Sequence, residues 1–300
     1  RPSAMKKIRV CVVGFGNVGR EAVECIRRAP GMKLAGVVRR AVGENHLDRP
    51  MVTRVEELGP VDVALLAVPS RLIPEVAPLY LQKGINTVDG YDLHGEPMLY
   101  LRDRLNRYAK KNERVAITGA GWDPGTDSVI RMLFEAVAPG GITYTDFGPG
   151  MSMGHSVAAR SIPGVKDAVA MTLPLGYGRH RRDVYVELNK EADFAEIAEQ
   201  IREDPYFDPD RTEVIQVDDL TPIKVTGHGV RIARAGSSGT AQNQLLELNM
   251  RITNPAATAQ IMAAAARACM RLKPGCYVLG EVPPIDLLPV DREAAIQKLV

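Results

Sequence analysis

Carboxylates gather where apolar runs of this 300-residue chain end, and that placement suggests chemistry on an amine. The run at residues 86–88 leads into Asp89-Gly-Tyr-Asp92, and the run at 115–118 leads into Gly119-Ala-Gly-Trp122-Asp123-Pro-Gly125. Trp122 is the only tryptophan in the chain. A carboxylate beside a hydride acceptor can hold an ammonium group and take its proton before hydride leaves the adjoining carbon. An amino acid is therefore the expected substrate class. Each acid also has a structural reading, Asp89 and Asp92 as turn braces and Asp123 as an Asx turn or a cap on a helix expected near residues 126–138.

An amino acid also needs a partner for its carboxylate. In Arg182-Asp-Val-Tyr-Val-Glu-Leu188 the strand period of two puts Arg182, Val184, Val186 and Leu188 on one face. A planar guanidinium on an otherwise apolar face suits a carboxylate gripped by two parallel hydrogen bonds; the alternative is an ion pair at a sheet edge. His228 lies between glycines in Thr226-Gly-His-Gly229, as a ligand donor or as a turn residue. Asn254-Pro255 reads as an N-cap followed by proline at the first helical position. The remaining histidines show no metal-ligand spacing, and no G-x-S-x-G elbow is present, so neither a metal nor acyl-enzyme chemistry is expected.

The elements that must position these groups begin at Val10-Cys-Val-Val-Gly14-Phe15-Gly16-Asn17-Val18-Gly19. An apolar strand runs into G-x-G-x-x-G and opens a helix over 17–29. Gly14 permits the tight turn, Gly16 lets backbone approach a pyrophosphate and Gly19 allows close packing. The next strand, 33–38, ends beside the expected adenosine ribose with Arg39 and Arg40 and no acid. Two cations there favour a 2′-phosphate, hence NADP rather than NAD. Ligands in open α/β sheets lie outside the carboxyl ends of the strands, where Pro69 and Ser70 follow the run at 61–68.

Strands at 8–13, 33–38, 61–68, 86–88 and 115–118 alternate with helices such as 71–83, the pattern of a Rossmann-type doubly wound parallel sheet. After Thr118 the texture changes to glycine-rich loops and longer strands, at 142–147, 168–173, 183–188, 212–217 and 244–252, with a helix at 194–203. This predicts a second α+β domain built on an open mixed sheet. A long alanine-rich helix from Pro255 to Leu272 returns the chain to the first domain. The expected division is residues 1–121 with 255–300 as the dinucleotide-binding domain, and 122–254 as the substrate-binding and dimerisation domain.

Composition narrows the function classes. Lys plus Arg number 38 against 36 Asp plus Glu, which gives no basic footprint for nucleic acid. Four cysteines are scattered without a C-x-x-C pair and read as buried apolar side chains in a reducing compartment. The apolar helix near 256–270 is too short for a bilayer. No signal peptide is evident, and Met5 reads as a natural start behind a short extension. A soluble cytoplasmic protein is expected.

Taken together, Val13-Gly-Phe-Gly-Asn-Val-Gly-Arg20, Thr87-Val-Asp-Gly-Tyr-Asp92, Gly121-Trp-Asp-Pro-Gly-Thr-Asp127, Phe147-Gly-Pro-Gly-Met-Ser-Met-Gly-His155, Ile162-Pro-Gly-Val165 and Lys273-Pro-Gly resemble the meso-diaminopimelate dehydrogenase family, from about residue 8 to residue 300. The resemblance implies NADP-dependent oxidative deamination of the D-centre of meso-2,6-diaminopimelate to L-2-amino-6-oxopimelate and ammonia, reversibly. It also implies a homodimer in lysine biosynthesis. Carried over residue by residue, it places Asp92 and Asp123 at the D-centre ammonium with Asp89 close by. Trp122, Phe147, Met153 and Gly154 shape that end. Thr172, Arg182, His228 and Asn254 fix the distal L-centre, and Arg39 and Arg40 hold the cofactor phosphate. Gly90 departs from the Ser or Thr of relatives, and Met153 from the Gln of some members. Two rival functions are another NADP-linked amino-acid or imine reductase of the same architecture, which the distal set disfavours, and a non-catalytic NADP sensor, which the acidic cluster disfavours.

Overall fold

Near-continuous apolar runs separated by amphipathic segments can bury both faces of a sheet, and this is what the first part of the chain does. The computed structural model describes residues 6–224 and 227–300. Met5, expected as a natural start, and Thr226 lie outside the described residues. In chain order the elements are β1 (Ile8–Val13), α1 (Asn17–Arg28), β2 (Met32–Val38), β3 (Met51–Val52), β4 (Val63–Leu66), α2 (Ile73–Gln82), β5 (Asn86–Asp89), α3 (Glu96–Lys111), β6 (Val115–Thr118) and α4 (Thr126–Val137). Then follow β7 (Gly140–Phe147), β8 (Gly150–Ser152), α5 (Met153–Arg160), β9 (Val165–Gly176), β10 (Arg179–Leu188), α6 (Phe194–Glu203), β11 (Arg211–Gln216) and α7 (Thr221–Lys224). The chain closes with β12 (His228–Ser238), β13 (Ala241–Ile252), α8 (Asn254–Cys269), β14 (Gly275–Val278) and α9 (Arg292–Leu299).

Two compact units result, one of Arg1–Met132 with Pro255–Val300 and one of Leu133–Asn254. The first holds a seven-stranded parallel sheet in the order β14-β6-β5-β4-β1-β2-β3. Successive side chains of a strand point to opposite faces. Val10 and Val12 of β1 accordingly pack with Ala22, Val23 and Ile26 of α1 and with the alanine-rich face of α8. Cys11 and Val13 pack with Ile73, Ala77 and Leu81 of α2 and Leu101 and Leu105 of α3. Helix α2 starts later than the sequence suggests, behind a 3-10 turn at Ser70–Leu72, with proline in its first turn. The helix expected to reach Leu272 ends at Cys269. Strand β14 escapes sequence reading because four residues after Pro274 carry too little periodicity; its pairing with β6 is a tertiary event.

The second unit contains a mixed four-stranded sheet, β11-β10-β9-β8, in which β10 and β11 run parallel and the other pairs antiparallel. Its inner face, including Ala168, Ala170, Val184, Val186 and Val214, is covered by Ala158 and Ala159 of α5 and Ile197, Ala198 and Ile201 of α6. Beside the expected mixed sheet there is a separate antiparallel sheet, β13-β12-β7. Strand β12 is hidden in the sequence because Gly229, Gly236, Arg231 and Arg234 break its apolar alternation. Gly236 is required there: a Cβ would lie 2.5 Å from the Gly140 carbonyl oxygen across the ladder.

Candidate functional site

The turn after β1 has the geometry an anionic dinucleotide needs. Gly14 has φ +93°, and a Cβ on it would sit 2.3 Å from the Ala67 carbonyl oxygen. A Cβ on Gly19 would meet the Gly14 oxygen at 2.4 Å, so helix and turn touch backbone to backbone. A Cβ on Gly16, by contrast, would have nothing within 4 Å, which leaves open space at the start of α1. Gly16 is the N-cap, supplies no side-chain hydrogen bond, and no acid stands in the first turn. The first N–H groups of α1 therefore remain available to an anion, with the positive end of the helix dipole behind them. Phe15 lies under the Arg20 guanidinium, 5.2 Å from ring centre to Cζ. Arg39, half-buried, and Arg40, exposed, follow the end of β2, and no acid stands in the ribose position. These residues fit an NADP-type dinucleotide.

On the same rim of the first unit, Ser70 joins the loop after β4 to the loop after β5. Its hydroxyl donates to Asp92 Oδ1 at 2.6 Å and accepts from the Asp92 N–H at 3.1 Å, which fixes an otherwise exposed carboxylate. Pro69 precedes this contact at the N-terminal end of the 3-10 turn. Asp89 is placed differently from Asp92. It is wholly buried; its Oδ1 accepts from the Tyr91 N–H at 2.9 Å, the Thr118 hydroxyl at 2.8 Å and the Gly119 N–H at 3.3 Å. Burial pushes its carboxyl up to about 6 against the pull of those donors. Asp89 thus braces the ends of β5 and β6, the turn-brace reading, and carries Asp92 and Trp122 only indirectly.

The loop after β6 is shaped by glycine. Gly125 has φ +144°, and a Cβ on it would overlap the Gly121 oxygen at 1.7 Å. The loop closes through Gly121 N–H to the Pro124 oxygen and Thr126 N–H to the Gly121 oxygen, both 3.1 Å. This presents Trp122, 5 % exposed, and Asp123 at the start of α4. Neither an Asx turn nor a helix cap holds Asp123. Its oxygens accept from both terminal nitrogens of Arg131 at 2.7 and 2.9 Å, and its side chain is 4 % exposed. Asp127, in the first turn of α4, is the only buried residue of that helix. Burial, then the charge of Asp123, pushes its carboxyl up to about 8 against the opposing pull of Arg131. Sequence reasoning quoted Asp127 only within a motif and missed Arg131. The four-residue spacing of Asp127 and Arg131 was the available signal, because such positions share a helix face.

In the second unit, neighbouring strands bring together Thr172 and Arg182, which are partners in the β9–β10 register, and Gly150, which pairs with Thr172. Arg182 donates to the wholly buried Thr172 hydroxyl and, through Nε, to Asp210 at 3.0 Å. The ion-pair reading of Arg182 is thus part of the answer, with Asp210 as the partner that sequence reasoning missed. Val184 and Val186 are fully buried on the face Arg182 shares. His180 has the same parity in β10; its Nε2 accepts from the Phe147 N–H at 2.8 Å, which requires a neutral ring. Burial, then the nearby Arg182 charge, keeps that histidine below its ordinary value.

His228 is the first residue of β12, not a turn residue; it is buried, its Nδ1 is 2.9 Å from the Gly229 oxygen, and its ring stands edge-on to Phe147 at 6.3 Å. Burial holds it below its usual value as well. Met153 and Gly154 form the first turn of α5 directly after β8. Asn254 is the first residue of α8, one position earlier than the expected helix start. Among the described residues no group of three or more His, Cys, Asp or Glu side chains is arranged to hold a metal, and no helix is long and apolar enough to cross a membrane.

Comparison with known proteins places these features in context. The profile described as diaminopimelic acid dehydrogenase C-terminal domain matches residues 121–178, and one described as CoA binding domain matches residues 5–88. A meso-diaminopimelate D-dehydrogenase of Bacteroides fragilis is 51% identical over 300 residues, covering 99% of this chain and 100% of that protein. The solved structure of C. glutamicum DAP dehydrogenase in complex with DAP superimposes with a TM-score of 0.89 at 33% identity, covering 99% of this chain and 100% of that one. An engineered D-amino acid dehydrogenase bound to NADP+ gives a TM-score of 0.84 at 32% identity, with 98% and 100% coverage.

Proposed function

Because this chain belongs to the meso-diaminopimelate D-dehydrogenase family, we propose that it oxidises the D-centre of meso-2,6-diaminopimelate with NADP and water, giving L-2-amino-6-oxopimelate, ammonia and NADPH, and that it runs the reverse amination. The full-length identity of 51% carries this reading. The open space at Gly16 and the paired Arg39 and Arg40 support the choice of cofactor. When bound, NADP supplies the hydride acceptor.

The chain's own residues then have distinct tasks. Gly14 to Gly19 and the start of α1 receive the pyrophosphate, Arg39 and Arg40 the 2′-phosphate, and Pro69 and Ser70 border the nicotinamide side. Asp92, held by Ser70, and Asp123, held by Arg131, take the substrate ammonium and accept its proton. Trp122, Phe147, Met153 and Gly154 restrict the space around the D-centre. Arg182, oriented by Asp210 and Thr172, binds the distal carboxylate together with His228 and Asn254. Neutral His180 keeps Phe147 in place through its backbone. Much of the catalysis is then positioning, which can supply several kcal/mol by holding the reacting carbon in an attack geometry.

The proposal extends to a homodimer that works in the cytoplasm within lysine biosynthesis, with 122–254 as the substrate-binding and dimerisation part. Turnover measured with meso, LL and DD diaminopimelate and with aspartate, each with NADP and with NAD, tests the assignment. Strong preference for the meso isomer and NADP is expected; equal turnover of aspartate or of the LL isomer would overturn it. Replacement of both Arg39 and Arg40 by Ser should weaken NADP at least about tenfold and leave NAD unaffected, on the scale of a lost charged hydrogen bond. Light scattering on the purified protein decides the dimer.

A further inference from the structure

We infer that Asp127 is a positioning residue that shares a proton with Asp123 and surrenders it when a cationic amine docks at Asp123, so that the charge of the acidic cluster adapts to the substrate. This rests on the reading that Asp123 meets the substrate amine. Asp127 is fully buried in the first turn of α4, and neither of its oxygens has a hydrogen-bond donor. The backbone N–H of Asp127 is directed to the Trp122 oxygen at 3.0 Å, so it does not serve the carboxyl. The charged groups that act on Asp127 are Asp123, from the preceding loop, and Arg131, one turn further along α4. Arg131 is engaged with both oxygens of Asp123.

A buried carboxyl with no donor, beside an acceptor, is stable only when it carries the proton itself. With Asp127 protonated, the cluster of Asp123, Asp127 and Arg131 is neutral. An ammonium arriving at Asp123 adds one positive charge. Ionisation of Asp127 restores neutrality, and its proton leaves to solvent. Burial together with the Asp123 charge holds the carboxyl at about 8 before an amine docks, close enough to neutrality for substrate to drive its ionisation. A carboxyl buried only for packing would not release a proton on binding.

The test is calorimetric titration of meso-diaminopimelate into the NADPH complex in buffers of different ionisation enthalpy, for the wild type, Asp127→Asn, Asp127→Glu and Asp123→Asn. Near pH 7 the wild type should release about 0.4 proton per site, the amount set by lowering a carboxyl at about 8 by about one unit, and Asp127→Asn close to none. Asp127→Glu should recover part of the release. In kinetics, the KM of Asp127→Asn relative to wild type should rise from about onefold near pH 6 to about tenfold near pH 9, the latter equal to one pKa unit of lost attraction. If Asp127→Asn binds too weakly for calorimetry, this KM ratio across pH decides the matter. Equal proton release in wild type and Asp127→Asn, or a KM ratio independent of pH, would overturn the inference. Asp123→Asn that binds and turns over substrate as the wild type does would instead overturn the reading beneath it.

Discussion

Asp127→Asn should also make the first unit more stable, by an amount that grows with pH. In the folded protein the Asp127 carboxyl is raised from 3.8 to about 8, by burial first and the Asp123 charge second. Between those values the folded protein holds a proton that the unfolded chain has released. Stability of the wild type therefore falls as pH rises through this window and levels off above about 8. At about 1.4 kcal/mol per unit, the four-unit interval sets an upper bound of roughly 6 kcal/mol. Relaxation and water penetration reduce such penalties, so we expect a gain of about 2–4 kcal/mol near pH 8 and under about 0.5 kcal/mol near pH 4. Asparagine matches the shape of the acid, and its amide can donate to Asp123 as the protonated acid does. Trp122, the only tryptophan and buried five residues away, reports unfolding of this region in urea without interference from the second unit. A difference between variant and wild type that stays constant from about pH 4 to about pH 9, or a variant less stable near pH 8, would refute the reasoning.

Other expectations follow from single contacts. Gly14→Ala should destabilise by at least about 2 kcal/mol, because its φ of +93° and a Cβ 2.3 Å from the Ala67 oxygen both oppose the side chain. Gly16→Ala should melt like the wild type yet lose NADPH affinity at least about tenfold, since its Cβ enters open space where the pyrophosphate approaches; thermal melts and NADPH fluorescence titration of the two variants check the contrast. Arg182→Met should cost at least about 2 kcal/mol in kcat/KM for meso-diaminopimelate, and unchanged steady-state kinetics would reject the carboxylate role. The half-buried ring of His155, 2.7 Å from the Ser152 hydroxyl, is depressed from 6.5 to about 4, by partial burial first and Arg182 second. Its contribution is complete above about pH 6.5 and is lost as pH falls through 4, so His155→Leu should flatten the acid-unfolding curve by about 1–2 kcal/mol over that interval. An unaltered acid limb in urea titrations would contradict this.

Much of the fold follows from patterns that act over short distances. The apolar run at 8–13, the glycine spacing after it and the cations at 39 and 40 specify a strand, a tight turn, a helix and a phosphate-friendly end, since each depends on local sterics and charge. Helix α6 coincides with its predicted bounds because its 3.6-residue apolar period and the Asp193 cap agree. The face shared by Arg182, Val184 and Val186 likewise follows from strand parity alone. Strand β14 and the separation of the second unit into two sheets were not readable, because β14 pairs with β6 and β12 with β7 across long stretches of chain, while β12 itself was hidden by the glycines and arginines that break its alternation. The same holds for the roles of the acids. Sequence placed Asp89, Asp92 and Asp123 at the ends of strands, where all three are equivalent on paper. Tertiary packing buried Asp89 as a brace, left Asp92 exposed on Ser70, and set Asp123 between Arg131 and a hidden second carboxyl. Composition can supply carboxylates to a region; only burial and the neighbours brought by folding decide which is ionised, which is neutral and which can reach a ligand.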